Sequence, residues 1–110
     1  MRDYIHVLDL AAGHVAALEH LSSSEGGARA RNLGTGRGTS VLEMIAAFER
    51  AAGKEIPYTV MPRRAGDLTE TYGDPTRAEA ELGWKATRSI DDMVTDLWRW
   101  QSQNPEGFSA

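Results

Sequence analysis

Residues 32–42 read Asn-Leu-Gly-Thr-Gly-Arg-Gly-Thr-Ser-Val-Leu, a glycine turn that runs into the start of a helix. Glycine at alternate positions lets the backbone adopt a positive φ without steric cost. Ser40 stands where an N-cap belongs and Glu43 follows three residues later, which predicts a capping box. The dinucleotide-binding fingerprint would need a glycine in place of Thr39, so these glycines do not match it. The residues alone indicate a tight turn into a capped helix.

The apolar spacing on both sides of this turn predicts four helices. The first two are residues 10–21, capped by Asp9, and residues 41–52, stopped by Gly53. The third is a short helix that Asp74 caps, that has Pro75 as its first residue and that Gly83 ends after Leu82. The last helix is capped by Ser89 and stopped by Asn104-Pro105. Gly13 weakens the first helix, so we expect it to allow close packing on a neighbour. His14 lies one turn from two leucines and is expected to be a packed histidine at the edge of the core.

Two strands are predicted between the helices. Residues 28–33 should form a strand that leads into the glycine turn, although their sequence is a poor strand former. In residues 56–61, the apolar side chains of Ile56, Tyr58 and Val60 alternate with others, which is the strand period.

Composition excludes several classes of protein. The chain has 110 residues, a net charge of −4 and no cysteine, which argues against a nucleic-acid surface and excludes disulfides. It has no apolar run near the ~20 residues of a membrane span, and a cytoplasmic location is the default expectation. The three histidines have no metal-ligand spacing, so we predict no metal site.

Three pieces of sequence, in this order, resemble one family. They are Arg-Asp-Tyr-Ile-His-Val-x-Asp-Leu-Ala at residues 2–11, the quoted stretch at residues 32–42, and Pro-Arg-Arg-x-Gly-Asp at residues 62–67, followed by the Asp74 helix and a Leu-Gly-Trp turn. Together they resemble the C-terminal third of the UDP-glucose 4-epimerases, which belong to the extended short-chain dehydrogenases/reductases. The resemblance covers nearly the whole chain.

The resemblance implies a helix-rich α/β fold, the C-terminal substrate-binding portion of a Rossmann-type epimerase. Residues 1–34 would supply an edge helix and strand of the Rossmann sheet, and residues 35–110 the substrate-binding domain. The family carries NAD, but its glycine-rich phosphate loop has no counterpart here. Its Tyr-x-x-x-Lys pair is also absent, since none of the three tyrosines has a lysine four residues later. The resemblance therefore implies a fragment with no catalytic or NAD-binding residues of its own.

The resemblance also assigns a substrate site. Arg2 and Arg64 would hold the diphosphate of a UDP-sugar, Asp67 the ribose hydroxyls, and Val41 the uracil face. Without the family, the arginines are read as surface charges, Asp67 as a turn cap and Val41 as helix core. Thr71 departs from the tyrosine that many of these epimerases have near the sugar, and neighbouring Tyr72 is the candidate replacement.

Two classes of function stay open at this point. The first is a UDP-sugar-binding part of an epimerase that interconverts UDP-glucose and UDP-galactose, or the same part of a sister dehydratase or uronate epimerase. The second is a non-catalytic interaction module. In either case we expect self-association or pairing with the family's N-terminal domain through apolar surface.

Overall fold

The computed structural model describes residues 1–24 and 26–108, so Glu25 and the last two residues of the predicted 35–110 domain lie outside it. The chain forms four helices, α1 (Val7–Leu21), α2 (Val41–Ala52), α3 (Thr76–Leu82) and α4 (Ile90–Gln103). Within the described ranges, β-structure is limited to two isolated bridges, from Arg2 to Thr39 and from Arg2 to Thr71. The predicted helix-rich character is confirmed.

Helices α2 and α4 both begin with the predicted serine cap. The Ser40 hydroxyl accepts the N–H of Glu43 at 3.1 Å, and the Glu43 carboxylate accepts the N–H of Ser40 at 2.7 Å. Ser89 and Asp92 make the same reciprocal pair at the start of α4. Gly53 ends α2 with a φ of 65°, in the left-handed region that glycine adopts readily.

The short helix α3 starts one residue later than predicted, with Pro75 and not Asp74 at its N-cap position. The Asp74 carboxylate accepts the N–H of Thr76 at 3.0 Å, and Gly83 ends the helix with a φ of 62°. Four buried apolar residues among those described form the small core: Ala47, Ala78, Trp84 and Val94. α2 packs on α4, and α1 contacts α3. The contact between α1 and α3 crosses the predicted domain boundary at residue 34, and that division stays a prediction.

The start of α1 differs from the prediction. The helix begins at Val7, and its N-cap is His6, whose Nδ1 accepts the N–H of Leu8 at 3.1 Å. The prediction of Asp9 as the cap is wrong, because its carboxylate is buried and accepts hydrogen bonds from Thr87 and Arg88 instead. The Asp9 side chain therefore binds residues that are distant in sequence and does not cap the helix.

Gly13 allows the close packing that was predicted. A Cβ built at this position would lie 2.8 Å from Cδ1 of Leu33 and 3.2 Å from the ring of Trp84. The Trp84 indole is buried and donates to the carbonyl of Asp9 at 2.9 Å. The prediction for His14 is wrong, since this side chain is exposed and its Nδ1 lies 2.8 Å from the carbonyl oxygen of its own helix residue Leu10.

Neither predicted strand forms. Residues 28–33 and 56–61 make no ladder hydrogen bonds within the part of the chain that is described. An extended segment becomes a strand only when another backbone pairs with it. Residues 28–33 are held by side chains of α3 instead: Arg77 donates to the carbonyl of Ala30 at 3.3 Å, and Glu81 accepts from Arg31 at 2.7 Å.

The chain exposes more surface than a compact domain of its size. Its accessible surface is 8293 Å², about 2,300 Å² above the roughly 6,000 Å² expected of a compact monomer of 12.0 kDa. Its radius of gyration is 17.1 Å, against about 13 Å for a compact domain of this length. Three exposed apolar side chains of α1, Val15, Leu18 and Leu21, contribute to this surface.

Within the described residues, none of the helices has both the length and the apolar character needed to cross a membrane.

Candidate functional site

The predicted site residues lie where three chain segments meet at the start of the chain. Arg2 is the central residue. Its backbone N–H donates to the carbonyl of Thr39 at 3.0 Å and its carbonyl accepts from Thr39 at 2.8 Å. On its other side, the N–H of Thr71 donates to the carbonyl of Met1 at 3.1 Å. The glycine turn and the loop at residues 62–73 are thereby joined through Arg2.

The Arg2 side chain points toward that loop. Its Nη1 donates to the carbonyl of Leu68 at 3.0 Å, and its Nη2 lies 3.9 Å from Oδ1 of Asp67. The side chain is 41% exposed. Its guanidinium has five donors, so it keeps donors available for an additional acceptor.

Arg64 contacts the other oxygen of the same carboxylate. Its Nε donates to Oδ2 of Asp67 at 3.2 Å, and its side chain is 86% exposed. The loop between them turns through Gly66, whose φ is 84°, and the N–H of Asp67 donates to the carbonyl of Arg64 at 3.3 Å. One carboxylate between two guanidinium groups leaves a net positive charge. This arrangement suits a phosphate-bearing ligand.

Val41 and Tyr72 lie close in sequence to Thr39 and Thr71, the two bridge partners of Arg2. Val41 opens α2 two residues beyond Thr39 and is 63% exposed, so its alternative interpretation as helix core is wrong. Tyr72 is 53% exposed. A Cβ built on Gly38 would lie 3.3 Å from the Tyr72 ring, which places that ring against the glycine turn.

Sequence reasoning missed Asp3, which holds the three segments together. Its carboxylate accepts the hydroxyl of Thr35 at 2.6 Å and the N–H groups of Thr35, Gly36 and Gly73 at 3.0 to 3.3 Å. Burial raises the pKa of Asp3, but the hydrogen bonds from Thr35, Gly73 and Gly36 outweigh it and the net pKa lies below its usual value. Asp3 belongs to the first of the three family motifs, which was the only available signal. Its partners lie 32 to 70 residues away along the chain.

A second acidic group, Asp9, is bound by a different part of the chain. It is 3% exposed and accepts from the backbone of Thr87 at 3.0 Å and of Arg88 at 2.8 Å, with the Arg88 guanidinium as a further donor. Burial raises the pKa of Asp9, and the bonds from Arg88 and Thr87 lower it further than burial raises it. Its contacts join α1 to the start of α4. The described residues hold no cluster of three or more acidic or histidine side chains that would suit a metal ion.

Comparison with known proteins identifies the family of this chain. The family model of the GDP-mannose 4,6-dehydratases matches residues 1–97. The chain belongs to this family. Within the family, it resembles UDP-glucose 4-epimerase of Dictyostelium discoideum at 56% identity over 109 residues, covering 99% of this chain and 32% of that protein. It is 59% identical over 109 residues to the bifunctional UDP-glucose and UDP-xylose 4-epimerase 3 of Arabidopsis thaliana, covering 98% and 31%.

Solved members of the family have the same fold. UDP-glucose 4-epimerase from Bifidobacterium longum, determined with NAD⁺ and UDP, matches with a TM-score of 0.90 and 55% identity over 96% of this chain and 31% of that one. A UDP-glucuronic acid 4-epimerase from Bacillus cereus, determined with NAD, matches with a TM-score of 0.76 and 25% identity over 99% and 32%. The chain spans about a third of the length of these relatives. The predicted match to the C-terminal part of UDP-glucose 4-epimerase is confirmed, as is NAD as a cofactor of solved full-length members.

Proposed function

We propose that this chain is the UDP-sugar-binding part of an NAD-dependent UDP-glucose 4-epimerase, which interconverts UDP-glucose and UDP-galactose in galactose metabolism. The observation that carries the proposal is the cluster of Arg2, Arg64 and Asp67. It lies in a chain that is 55% identical to an epimerase solved with UDP.

Each residue of the cluster has a role in this proposal. Arg2 and Arg64 hold the diphosphate, because a guanidinium offers several donors in a rigid fork and keeps its charge. Asp67 accepts the two ribose hydroxyls, since an ionised carboxylate has acceptor sites for both. Val41 packs its exposed side chain on the uracil face. These contacts position the sugar from a distance, and such remote binding energy supports the reaction.

The relatives favour this substrate over those of sister enzymes. Curated proteins named UDP-glucose 4-epimerase match at 56% to 57% identity. Solved ones match at 36% to 55%, whereas the solved UDP-glucuronic acid 4-epimerase matches at 25%. Thr71 and Tyr72 are the residues of this chain that we place next to the sugar.

NAD does not fit the glycine turn of this chain. The N–H groups of Thr35 and Gly36 would be the donors for a cofactor phosphate, but both already donate to the carboxylate of Asp3. A fixed negative charge at those donors repels a phosphate. Because the chain also lacks the Tyr-x-x-x-Lys pair, we expect it to be inactive alone.

The surface of this chain is large enough to bind a partner. Its total accessible surface exceeds that of a compact monomer by about 2,300 Å², against the roughly 800 Å² that one partner buries in a standard interface, and Val15, Leu18 and Leu21 are among the apolar side chains exposed on it. We propose that the N-terminal part of an epimerase covers it, or that a second copy does so when that part is absent. A cytoplasmic location stays a prediction.

Calorimetry with UDP and uridine tests the proposed site. We expect the 110-residue chain to bind UDP more tightly than uridine, and this preference to weaken as salt screens the arginines. Arg64→Ala should reduce the UDP affinity by about tenfold, near the lower end of what a bond to a charged group contributes.

The matched control is Arg99→Ala. Arg99 is also exposed and also pairs with an aspartate three residues away in sequence, Asp96, but it lies on α4. This variant should bind UDP like the unsubstituted chain. If UDP binds no better than uridine, or if the two arginine variants behave alike, the diphosphate site is wrong.

A further inference from the structure

Asp3 accepts several hydrogen bonds, and the proposed function assigns it no contact with the substrate. All of its donors are neutral: the hydroxyl and N–H of Thr35 and the N–H groups of Gly36 and Gly73. The carboxylate fits tightly, since a Cβ built on Gly34 would lie 2.5 Å from its Oδ2.

The segments that Asp3 joins are the ones that flank Arg2. Thr35 and Gly36 belong to the glycine turn that continues to Thr39, the antiparallel bridge partner of Arg2. Gly73 is the last residue of the loop at residues 62–73. This loop carries Arg64 and Asp67, and it also contains Thr71, the parallel bridge partner of Arg2. The Asp3 carboxylate is therefore a second connection between the same two segments, one residue along the chain from Arg2.

We propose that Asp3 is a positioning residue for the diphosphate site: its carboxylate sets the place of Arg2 relative to Arg64 and Asp67. The proposal rests on the proposed function and names a residue of this chain that does not touch the ligand. A guanidinium pair can grip a diphosphate only when both groups lie at the right separation. Holding that separation before the ligand arrives reduces the ordering cost of binding.

The four donors explain why a carboxylate is needed here. An ionised carboxylate only accepts, and its two oxygens offer about four acceptor sites. In Asp3→Asn one oxygen becomes an NH₂ group, which only donates and faces the N–H groups that the oxygen accepted. The two segments lose part of their connection while the size of the side chain is unchanged.

The test compares Asp3→Asn with Asp9→Asn in the 110-residue chain. Both residues are carboxylates that accept from several donors of distant segments, but Asp9 joins α1 to the start of α4. For each variant, calorimetry gives the ratio of UDP to uridine affinity, thermal unfolding gives the stability, and ¹⁵N NMR gives the amide signals of Thr35, Gly36 and Gly73.

We expect both variants to lose stability and only Asp3→Asn to lose the preference for UDP. Its ratio of UDP to uridine affinity should fall by about tenfold, which corresponds to about 1.4 kcal/mol. The three amide signals should shift in Asp3→Asn alone. A ratio unchanged in Asp3→Asn, or reduced equally in Asp9→Asn, overturns the proposal while the proposed function stands.

If the unsubstituted chain shows no preference for UDP over uridine, the proposed function fails and the role of Asp3 fails with it. If Asp3→Asn does not fold, Thr35→Val replaces it, because it removes the hydroxyl that donates to Asp3 at 2.6 Å and keeps the side-chain shape. A smaller fall in the same ratio supports the proposal, and an unchanged ratio overturns it.

Discussion

Asp9 connects the first turn of α1 to the residues before α4 and is buried except for 3% of its surface. The connection includes the backbone N–H groups of Thr87 and Arg88, the Arg88 guanidinium and, through the Asp9 carbonyl, the indole of Trp84. A buried carboxylate with this many donors stabilises the fold only while it is ionised.

We predict that Asp9→Ala lowers the free energy of unfolding by about 3 kcal/mol, since it leaves buried donors and a cation without their acceptor. The loss should depend on pH. The folded-state pKa of Asp9 is lowered, so its contribution is fully present above the unfolded value of about 3.9 and disappears as pH falls through the folded value.

Urea unfolding at pH 7 and at pH 3 checks this prediction. The difference in unfolding free energy between the unsubstituted chain and Asp9→Ala should shrink at the lower pH. Lys85→Ala, which alters an exposed side chain near the same segment, serves as the control. A difference that stays constant between the two pH values would contradict the role of ionised Asp9.

At the scale of elements, α2 and α4 depend on their capping boxes. Both helices start with a serine whose hydroxyl accepts an N–H of the first turn and a carboxylate that returns the bond. These helices pack on each other around Ala47 and Val94. Fraying of either first turn therefore weakens the larger of the two helix contacts in the fold.

We predict that Ser40→Ala lowers the free energy of unfolding by about 1 kcal/mol, the usual contribution of an N-cap. Chemical denaturation followed by circular dichroism measures it. Ser102→Ala is the matched control, because Ser102 lies in the last turn of α4 and its hydroxyl donates to a carbonyl of its own helix. Equal stability of Ser40→Ala and the unsubstituted chain would remove the capping argument.

At the scale of the whole molecule, the chain has a small core and a large apolar exterior. Leu18 is 67% exposed and Leu21 is 58% exposed on one face of α1. Apolar patches of this kind mark interaction surfaces. Residues 28–33, which form no ladder with another described segment, add backbone groups that a further chain can pair with.

We predict that the isolated chain self-associates as its concentration rises. Leu18→Glu should shift it toward monomer, because a charge in the contact would have to be desolvated. Sedimentation equilibrium measures the change, and Thr95→Glu on the exposed side of α4 is the control. A compact monomer at high concentration, with the amides of residues 28–33 protected from exchange, would argue against this surface.

The sequence by itself determined the features that depend on neighbouring residues. The caps at Ser40 and Ser89, the stops at Gly53 and Gly83, and the family motifs around Arg2 and Arg64 are local signals, and the first four are present as predicted. A cap or a glycine stop needs only the three or four residues beside it, so its outcome is independent of the rest of the fold.

The tertiary structure alone decided the features that depend on distant partners. Asp9 has the local signature of a helix cap, but the donors of Thr87 and Arg88, nearly 80 residues away, take its carboxylate and leave His6 to cap α1. Residues 28–33 and 56–61 were predicted as strands, yet a strand needs a partner that their own sequence does not specify. Asp3 joins three segments that only the folded chain brings together, because hydrogen bonds depend on distance in space and not on separation in sequence.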